Sequence, residues 1–489
     1  MKAIIIGAGI AGIATAIRLA AQGFNVQVFE ANAYMGGKLT ALEKDGFRFD
    51  AGPSLFTLPA LVDELFTIAG QNPQDYFRYQ KLTEITRYFW PDGTRLTAFA
   101  DQEKFFTELE EKLRVPKNKA REFFNKSARI YNATADTFLN KSLHKTSTYL
   151  SKDVLKTLFA VRDLGLMQTM HGANSTAFSN AKFVQLLNRF ATYNGSNPYA
   201  APATLNIIPH LEHGIGAFYP DGGMHSITQS LVKLAKELGV IFRMEEPVKR
   251  ILVHGKKATG VETSHGKYKA DIVISNADVY PTYKNLLPGC PAPQKTLEQP
   301  KSSSALIFYW GINRQFPELD LHNIFFSQDY KHEFDCIFNR QTISHDPTVY
   351  INITSKLTPA HAPAGSENWF VMVNVPANTG QNWDELINQT RENVLAKLTA
   401  QLQTKIRANI VSETILDPRS IEAKTSSHLG ALYGAASNNR FAAFLRHPNF
   451  SSHIRGLYFC GGSVHPGGGI PLCLLSAKIV AGLVQQDGA

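Results

Sequence analysis

The sequence predicts an α/β chain, α+β overall, in which a parallel nucleotide-binding sheet is interrupted by an inserted antiparallel sheet and a helical piece. Three observations predict it. The chain opens with a strand, a glycine turn, a helix and a second strand in immediate succession. The same alternation returns between Gly214 and Asp278 and again after Leu457, and between Ser303 and Pro376 the pattern changes to apolar runs of period two. With 489 residues the chain exceeds what one core supports, so two or three domains are expected.

The first element is a continuous apolar run, Ala3 to Ile6, as a strand covered on both faces requires. Gly7, Gly9 and Gly12 follow with G-x-G-x-x-G spacing. The first permits a tight turn, the second a close backbone approach to a diphosphate, and the third close helix packing. Ile10 and Ala11 open a helix running to about Gln22, whose leading N–H groups and positive dipole end face that diphosphate. Gly23 ends it, and the strand Asn25 to Phe29 delivers Glu30, whose carboxylate can accept the ribose hydroxyls and disfavours a 2′-phosphate. Gly36 and Gly37 bring backbone to the ligand a second time, with Lys38 near its phosphates. Up to this point a dissociating nicotinamide and a tightly held flavin both remain open. The two-point contact resembles the flavoprotein superfamily of glutathione-reductase-like and amine-oxidase-like folds, and that resemblance implies FAD.

Farther along, Pro91-Asp92-Gly93 marks a hairpin between two short strands, and helices dominate to about Leu205. An amphipathic helix is expected from His225 to Leu238, strands at Ile241 to Met244 and Val248 to Val253, and a buried strand in Asp271 to Asp278. Alternating runs such as Leu306 to Trp310 and Val349 to Ile353 predict the antiparallel sheet, crossed by a helix from Asp384 to Leu402. A last strand, Leu457 to Cys460, meets Gly461 and Gly462, and Gly467 to Pro471 open a final helix to about Val484 that restores the first sheet. The domain expectation is therefore a discontinuous nucleotide-binding part (1–60, 206–280 and 450–489), a substrate part (61–100 and 281–449) and a helical part (101–205).

The composition, 44% hydrophobic, is that of a globular protein, and no window of eighteen uncharged apolar residues argues for a membrane span. Four cysteines, Cys290, Cys336, Cys460 and Cys473, lack metal-ligand spacing and read as buried reduced thiols, which points to the cytoplasm. The amino terminus enters the first strand at once, so no signal or transit segment is expected. The net charge of +9 is concentrated: from Lys112 to Arg162 twelve basic residues face three acidic ones, a surplus equal to that of the whole chain. Aromatic and aliphatic residues, among them Phe123, Phe124, Ile130 and Leu158, are interleaved at helical spacing. That pattern describes either a contact with anionic lipid headgroups or a solvated helical layer whose apolar stripe is core. No motif for nucleic acid accompanies the charge.

Four stretches together resemble the bacterial carotenoid desaturase family, relatives of phytoene desaturase. They are the amino-terminal GAGIAGIATAIRLAAQGFNVQVFEANAYMGGK with FDAGPSLFT, the central RFATYNGSNPYAAPATLNIIPHLEHGIGAFYPDGGM, the strand DIVISNAD, and the carboxyl-terminal GLYFCGGSVHPGGGIPLCLLSAK. The last is similar to the branch that introduces the 3,4 double bond of hydroxylated or monocyclic carotenoids. The resemblance implies a Rossmann-like FAD-binding domain of the glutathione-reductase and amine-oxidase type. It puts Gly7, Gly9, Gly12 and Glu30 on the ADP half, Gly36, Gly37 and Lys38 beside the diphosphate and ribityl, and Gly52, Pro53 and Ser54 against the isoalloxazine. Val248 would meet adenine, Asn276 and Ala277 the nucleotide side, and Gly461, Gly462, Gly469, Ile470 and Pro471 the flavin end. Where relatives often carry Asp after the last strand's glycine, this chain has Gly462-Ser463.

Desaturation takes a hydride and a proton from neighbouring carbons, and flavin N5 can accept the hydride. The charge left behind spreads over the polyene, so the expectation is a long apolar tunnel rather than a polar constellation, with Met167 and Met170 suited to its wall. Arg189, Tyr193 and Glu212 are candidates for proton movement or for tying helices together. His465 is a candidate for an acid, a base or a capping group. A peripheral attachment to the cytoplasmic membrane face, a carotenoid substrate, and oxygen or a quinone as electron acceptor follow from the resemblance. The alternatives are a phytoene desaturase, a carotene cis-trans isomerase, an amine oxidase and a prenyl-lipid escort without redox chemistry.

Overall fold

A computed structural model of the chain describes residues 1–145, 148, 167–439 and 445–488, with backbone only at 136–138. The first sheet is wholly parallel. Its strands are β1 (Lys2–Ile6), β2 (Asn25–Phe29), β3 (Ile241–Arg243), β4 (Ile272–Ser275) and β5 (Leu457–Phe459), in the order β5-β4-β1-β2-β3. β1 is apolar on both faces because both are covered. Ala3 and Ile5 pack against helices α1 (Ile10–Ala21), α2 (His225–Glu237) and α3 (Ile470–Gln486), whereas Ile4 and Ile6 meet a three-stranded sheet through Ile251 and Val261. β3 and α2 end at Arg243 and Glu237, one residue short of the expected bounds, and the strand expected from Val248 begins at Arg250.

The second sheet has seven strands, in the order Ile410–Leu416, Ser304–Ile312, Glu367–Val375, Val349–Asn352, His322–Phe325, Glu84–Phe89, Arg95–Phe99. All neighbours are antiparallel except His322–Phe325 with Glu84–Phe89, which run parallel. Alternation along the strands separates its faces. Leu306, Phe308 and Trp310 pack with Leu395 and Leu398 of the helix Trp383–Leu402, while Ala305, Ile307 and Tyr309 face the other way, with Phe370, toward Phe47 and Phe49.

Two expected boundaries move. The helix Ala60–Ile68 buries Val62, Leu65 and Phe66 in the core of the parallel sheet, and Phe77 joins them, so residues 61–77 pack with the nucleotide part and not with the substrate part. Conversely Ile208 and Ala217 belong to the core beneath the helical layer, which places 206–217 there.

That layer includes Gln102–Leu113, Lys117–Phe138 and Ala181–Asn188. Its described apolar stripe points inward: Phe124 and Phe105 share a core with Phe183, Phe190 and Trp90, Ile130 is buried, and Phe123 packs on Phe178. Phe105, Phe124, Phe183, Phe190 and Trp90 are thus core residues, each stabilising the layer by about 1.5–3 kcal/mol. The basic residues Lys112, Arg114, Lys119, Arg121, Lys126 and Arg129 stand exposed on the opposite side. Leu158, Lys152, Lys156 and Arg162 lie outside the described residues. Among the described residues no helix is long and apolar enough to cross a membrane. Cys336 and Cys460 are buried as expected, but Cys290 and Cys473 are only partly so.

Candidate active site

A cavity of about 1040 Å³ runs from the carboxyl ends of the parallel strands to the inner face of the seven-stranded sheet. At its first end Gly7, with φ +96°, turns the chain out of β1, and α1 begins at Ile10 with Gly9 as an N-cap that offers no side chain. The leading N–H groups of α1 are thereby left to a ligand. Gly9 is bridged to Gly36, so the two glycine motifs meet as one cradle. Gly12 is the packing glycine: a Cβ there would lie 2.2 Å from the Gly7 carbonyl oxygen and 2.8 Å from Asn276 Oδ1. Gly52 is equally tight: a Cβ there would lie 1.8 Å from the Lys38 carbonyl oxygen.

Glu30 is buried at the end of β2. Its Oε2 accepts the Ala8 N–H at 2.7 Å and its Oε1 accepts the Asn32 backbone and side-chain N–H groups, each at 2.9 Å. A carboxylate has about four acceptor positions, so capacity remains for a ribose hydroxyl. Val248, Asn276 and Ala277 line the same end, and Gly37, Pro53, Ile10 and Ala11 continue the wall. Gly461, Gly462, Gly469, Ile470 and Pro471 close it at the uncapped start of α3. Ser463, which follows Gly462 after β5, accepts the Val279 N–H on its hydroxyl at 3.0 Å. Two open helix ends, a glycine cradle and a ribose-facing carboxylate fit a dinucleotide of FAD's length.

Of the residues singled out from sequence, Gly12 and Glu212 do not line the cavity; Gly12 lies behind the turn and Glu212 behind Arg189. Lys38 does line it, with its ammonium already held by backbone. Its ammonium donates to the Leu432 and Ala431 carbonyls at 2.9 and 3.3 Å, and burial lowers its pKa. His465 is a hydrogen-bonded structural residue, Nε2 lying 3.0 Å from the Lys141 carbonyl oxygen, and it is absent from the cavity wall. Met170 is buried in the helical core and Met167 is exposed, so neither is tunnel wall.

The inner end corrects the expectation of a purely apolar tunnel. Ala305, Ile307, Phe370 and Met372 supply an apolar pleated face, but a polar cluster stands beside it. Arg189 Nη2 donates to Glu212 Oε1 at 2.9 Å and to the Tyr88 hydroxyl at 2.7 Å, and Tyr193 donates to Glu212 Oε2. Burial opposes both charges; the pair offsets it, leaving the guanidinium raised and the carboxyl lowered. From the sheet, His322 Nδ1 and the Ser54 hydroxyl each lie 2.8 Å from the Tyr350 hydroxyl. Arg189, Tyr193, His322, Tyr330 and Tyr350 all line the cavity. Sequence reasoning missed His322, Tyr330 and Tyr350. The only local signal is a lone histidine opening the apolar run Leu321-His322-Asn323-Ile324-Phe325, with tyrosines nearby.

Comparison with known proteins places this geometry. Residues 10–485 match the family described as flavin containing amine oxidoreductase. The chain is 53% identical over 488 residues to the 1-hydroxycarotenoid 3,4-desaturase of Flavobacterium sp. (strain P99-3), covering 100% of both. It is 35% identical over 497 residues to the 4,4'-diapolycopene oxygenase of Methylomonas sp, covering 99% of this chain and 98% of that one. Among solved structures, a putrescine oxidase triple mutant redesigned in cofactor binding superposes with a TM-score of 0.65 at 15% identity, covering 99% of each chain, which shows the shared fold. The cradle, the cavity and these matches together make the chain an FAD-dependent oxidoreductase that belongs to the flavin containing amine oxidoreductase family and, within it, to the carotenoid desaturases.

Proposed function

We propose that the protein desaturates a carotenoid at the C3–C4 bond beside a C1 hydroxyl, in an acyclic or monocyclic substrate. The observation that carries this reading is the continuity of the cavity: one space joins the dinucleotide cradle to the apolar sheet face of Ala305, Ile307, Phe370 and Met372. Full-length identity of 53% to a 1-hydroxycarotenoid 3,4-desaturase supports it. FAD held in the cradle would supply the hydride acceptor for this chemistry, with oxygen or a quinone as the final electron acceptor. The chain's own work is positioning. Ile307, Phe370 and Met372 hold the chain flat, Gly52, Pro53 and Ser54 set the reacting carbons against the flavin end, and burial keeps water from the site. The exposed basic face of the helical layer supports peripheral attachment to an anionic, cytoplasmic membrane surface, from which so insoluble a substrate is drawn.

The test is the flavin-loaded protein in liposomes, incubated with 1-hydroxy acyclic carotenoids, γ-carotene and phytoene. A red shift of the polyene absorption with a mass loss of two hydrogens is expected for the hydroxylated substrates. Isomerisation without a mass change, or turnover of phytoene alone, would overturn the reading.

A further inference from the structure

Glu30 does not complete an adenosine subsite by itself. Three N–H groups, from Ala8 and from the backbone and side chain of Asn32, already fill most of the roughly four acceptor positions of its carboxylate. A ribose brings two hydroxyls and an adenine an amine, more donors than Glu30 has room to accept. Further partners have to come from the wall that faces it.

That wall is supplied from far along the chain. The helix Pro418–Thr425 follows the edge strand Ile410–Leu416 of the seven-stranded sheet and is ended by Ser426, whose φ of +53° turns the chain out of it. A helix end leaves its last carbonyls without partners inside the helix. The Lys424 carbonyl is taken by Asn32, whose Nδ2 donates to it at 3.0 Å and to Glu30 Oε1 at 2.9 Å. Both oxygens can only accept, which fixes the orientation of the amide. Four residues on, the His428 N–H donates to Asp278 Oδ2 at 3.3 Å, and the His428 ring lies flat on Tyr280 with centroids 3.5 Å apart. The turn is therefore pinned at both ends to the parallel-sheet part, across 392 and 150 positions of sequence. Lys424, Thr425, Ser426 and Ser427 line the same cavity as Glu30, Asn32 and Val248. Among the described residues the Lys424 ammonium enters no ion pair and the Ser426 hydroxyl no hydrogen bond, so both are available to a ligand.

We propose that the turn Lys424–Ser427 is the second wall of the adenosine subsite of FAD, and that Asn32 is the positioning residue that holds this turn and the Glu30 carboxylate in one frame. The bound dinucleotide then bridges the parallel-sheet part and the part built on the second sheet. Loss of the Asn32 amide frees the turn and loosens Glu30 together, so Asn32 governs how long the cofactor is retained. The ligand concerned is the cofactor, and the assignment is independent of which carotenoid bond reacts.

The experiment makes two measurements on the full-length protein. In the first, wild type and Asn32→Ala are loaded with FAD that carries an azide on C8 of the adenine, irradiated, and their labelled peptides mapped by mass. Wild type is expected to carry label within Lys424–Ser427 as well as beside Val248, and in Asn32→Ala the label on the turn should fall several-fold. In the second, release of ordinary FAD from the loaded protein is followed by the recovery of flavin fluorescence. Asn32→Ala removes two hydrogen bonds and is expected to release FAD at least about tenfold faster, the size of one of them. Asn32→Asp, which has no side-chain N–H and sets a second carboxylate beside Glu30, should release it faster still. General destabilisation would lower the unfolding midpoint without moving the label. Wild-type label confined to the parallel-sheet part overturns the second wall, a result that holds even where a variant folds poorly. Unchanged release in both Asn32 variants, or faster release with the turn labelled as in wild type, overturns the positioning role of Asn32.

Discussion

Arg189 Nη2 and Glu212 Oε1 lie 2.9 Å apart, and both side chains are almost sealed from solvent. The pair joins the turn Arg189–Asn194 to the turn His210–Ile215 and presents only the arginine to the cavity. A buried pair of this kind adds little net stability, but breaking it strands a charge. Glu212→Gln is expected to destabilise the flavin-loaded protein by about 3 kcal/mol. The double variant Arg189→Met with Glu212→Leu should lose less. Denaturant unfolding of the two variants checks this, and a double variant less stable than the single one would show that the pair is worth more than its packing.

Gly9→Val is expected to yield folded protein with little or no flavin. Its Cβ would already lie 2.8 Å from Asn276 Oδ1, and the branched methyl groups would project where the backbone must meet the diphosphate. Visible flavin absorbance per mole of purified protein is the measurement; undiminished flavin content would remove Gly9 from the cradle.

Stability should fall as pH drops below neutrality. His213, His322, His361, His447 and His465 have pKa values lowered by burial to about 4 against 6.5. Between those limits the unfolded chain binds protons that the folded one does not. Their stabilisation is therefore complete above pH 6.5 and decays toward pH 4, at up to about 1.4 kcal/mol per pH unit for each histidine. Asp50 and Glu333, raised by burial, oppose this near the acid end. His213 stacks on Phe105 at 4.6 Å with neither ring nitrogen hydrogen-bonded, so His213→Phe should flatten the acid decline. Thermal unfolding midpoints from pH 4 to 7 decide it; parallel curves for variant and wild type would refute the histidine's part.

Reversing Lys119, Lys126 and Arg129 to Glu should weaken binding to anionic vesicles. All three are exposed and make no ion pair among the described residues, unlike Lys117 and Arg121, which face Glu110 and Glu103. At about 1 kcal/mol per basic residue, the three together are worth more than about a hundredfold at moderate salt. Vesicle sedimentation is the assay, and unchanged binding would return this face to the solvent.

The nucleotide cradle was legible in the sequence because its requirements are local. Turn, helix start and terminal carboxylate recur at fixed spacing, so Gly7, Gly9 and Glu30 could be placed from the residues alone, and the carboxyl-terminal glycines by resemblance. Strand alternation likewise announced the mostly antiparallel second sheet. The basic run, by contrast, read equally as lipid contact or solvated face, because a helical period reports an apolar stripe without saying what covers it. The structure put Phe124 and Ile130 in the core.

The sequence by itself determined the dinucleotide fold, because the spacing of its motifs is set by backbone geometry, and its resemblance to known families carried the flavin and the chemical class. Only the tertiary structure decided what stands at the far end of the cavity. Ser54 and Tyr350 are 296 positions apart, and Arg189 reaches Tyr88 across 101. No periodicity encodes such a meeting, because hydrogen-bond partners brought together by packing two sheets and a helical layer leave no mark on the segments between them.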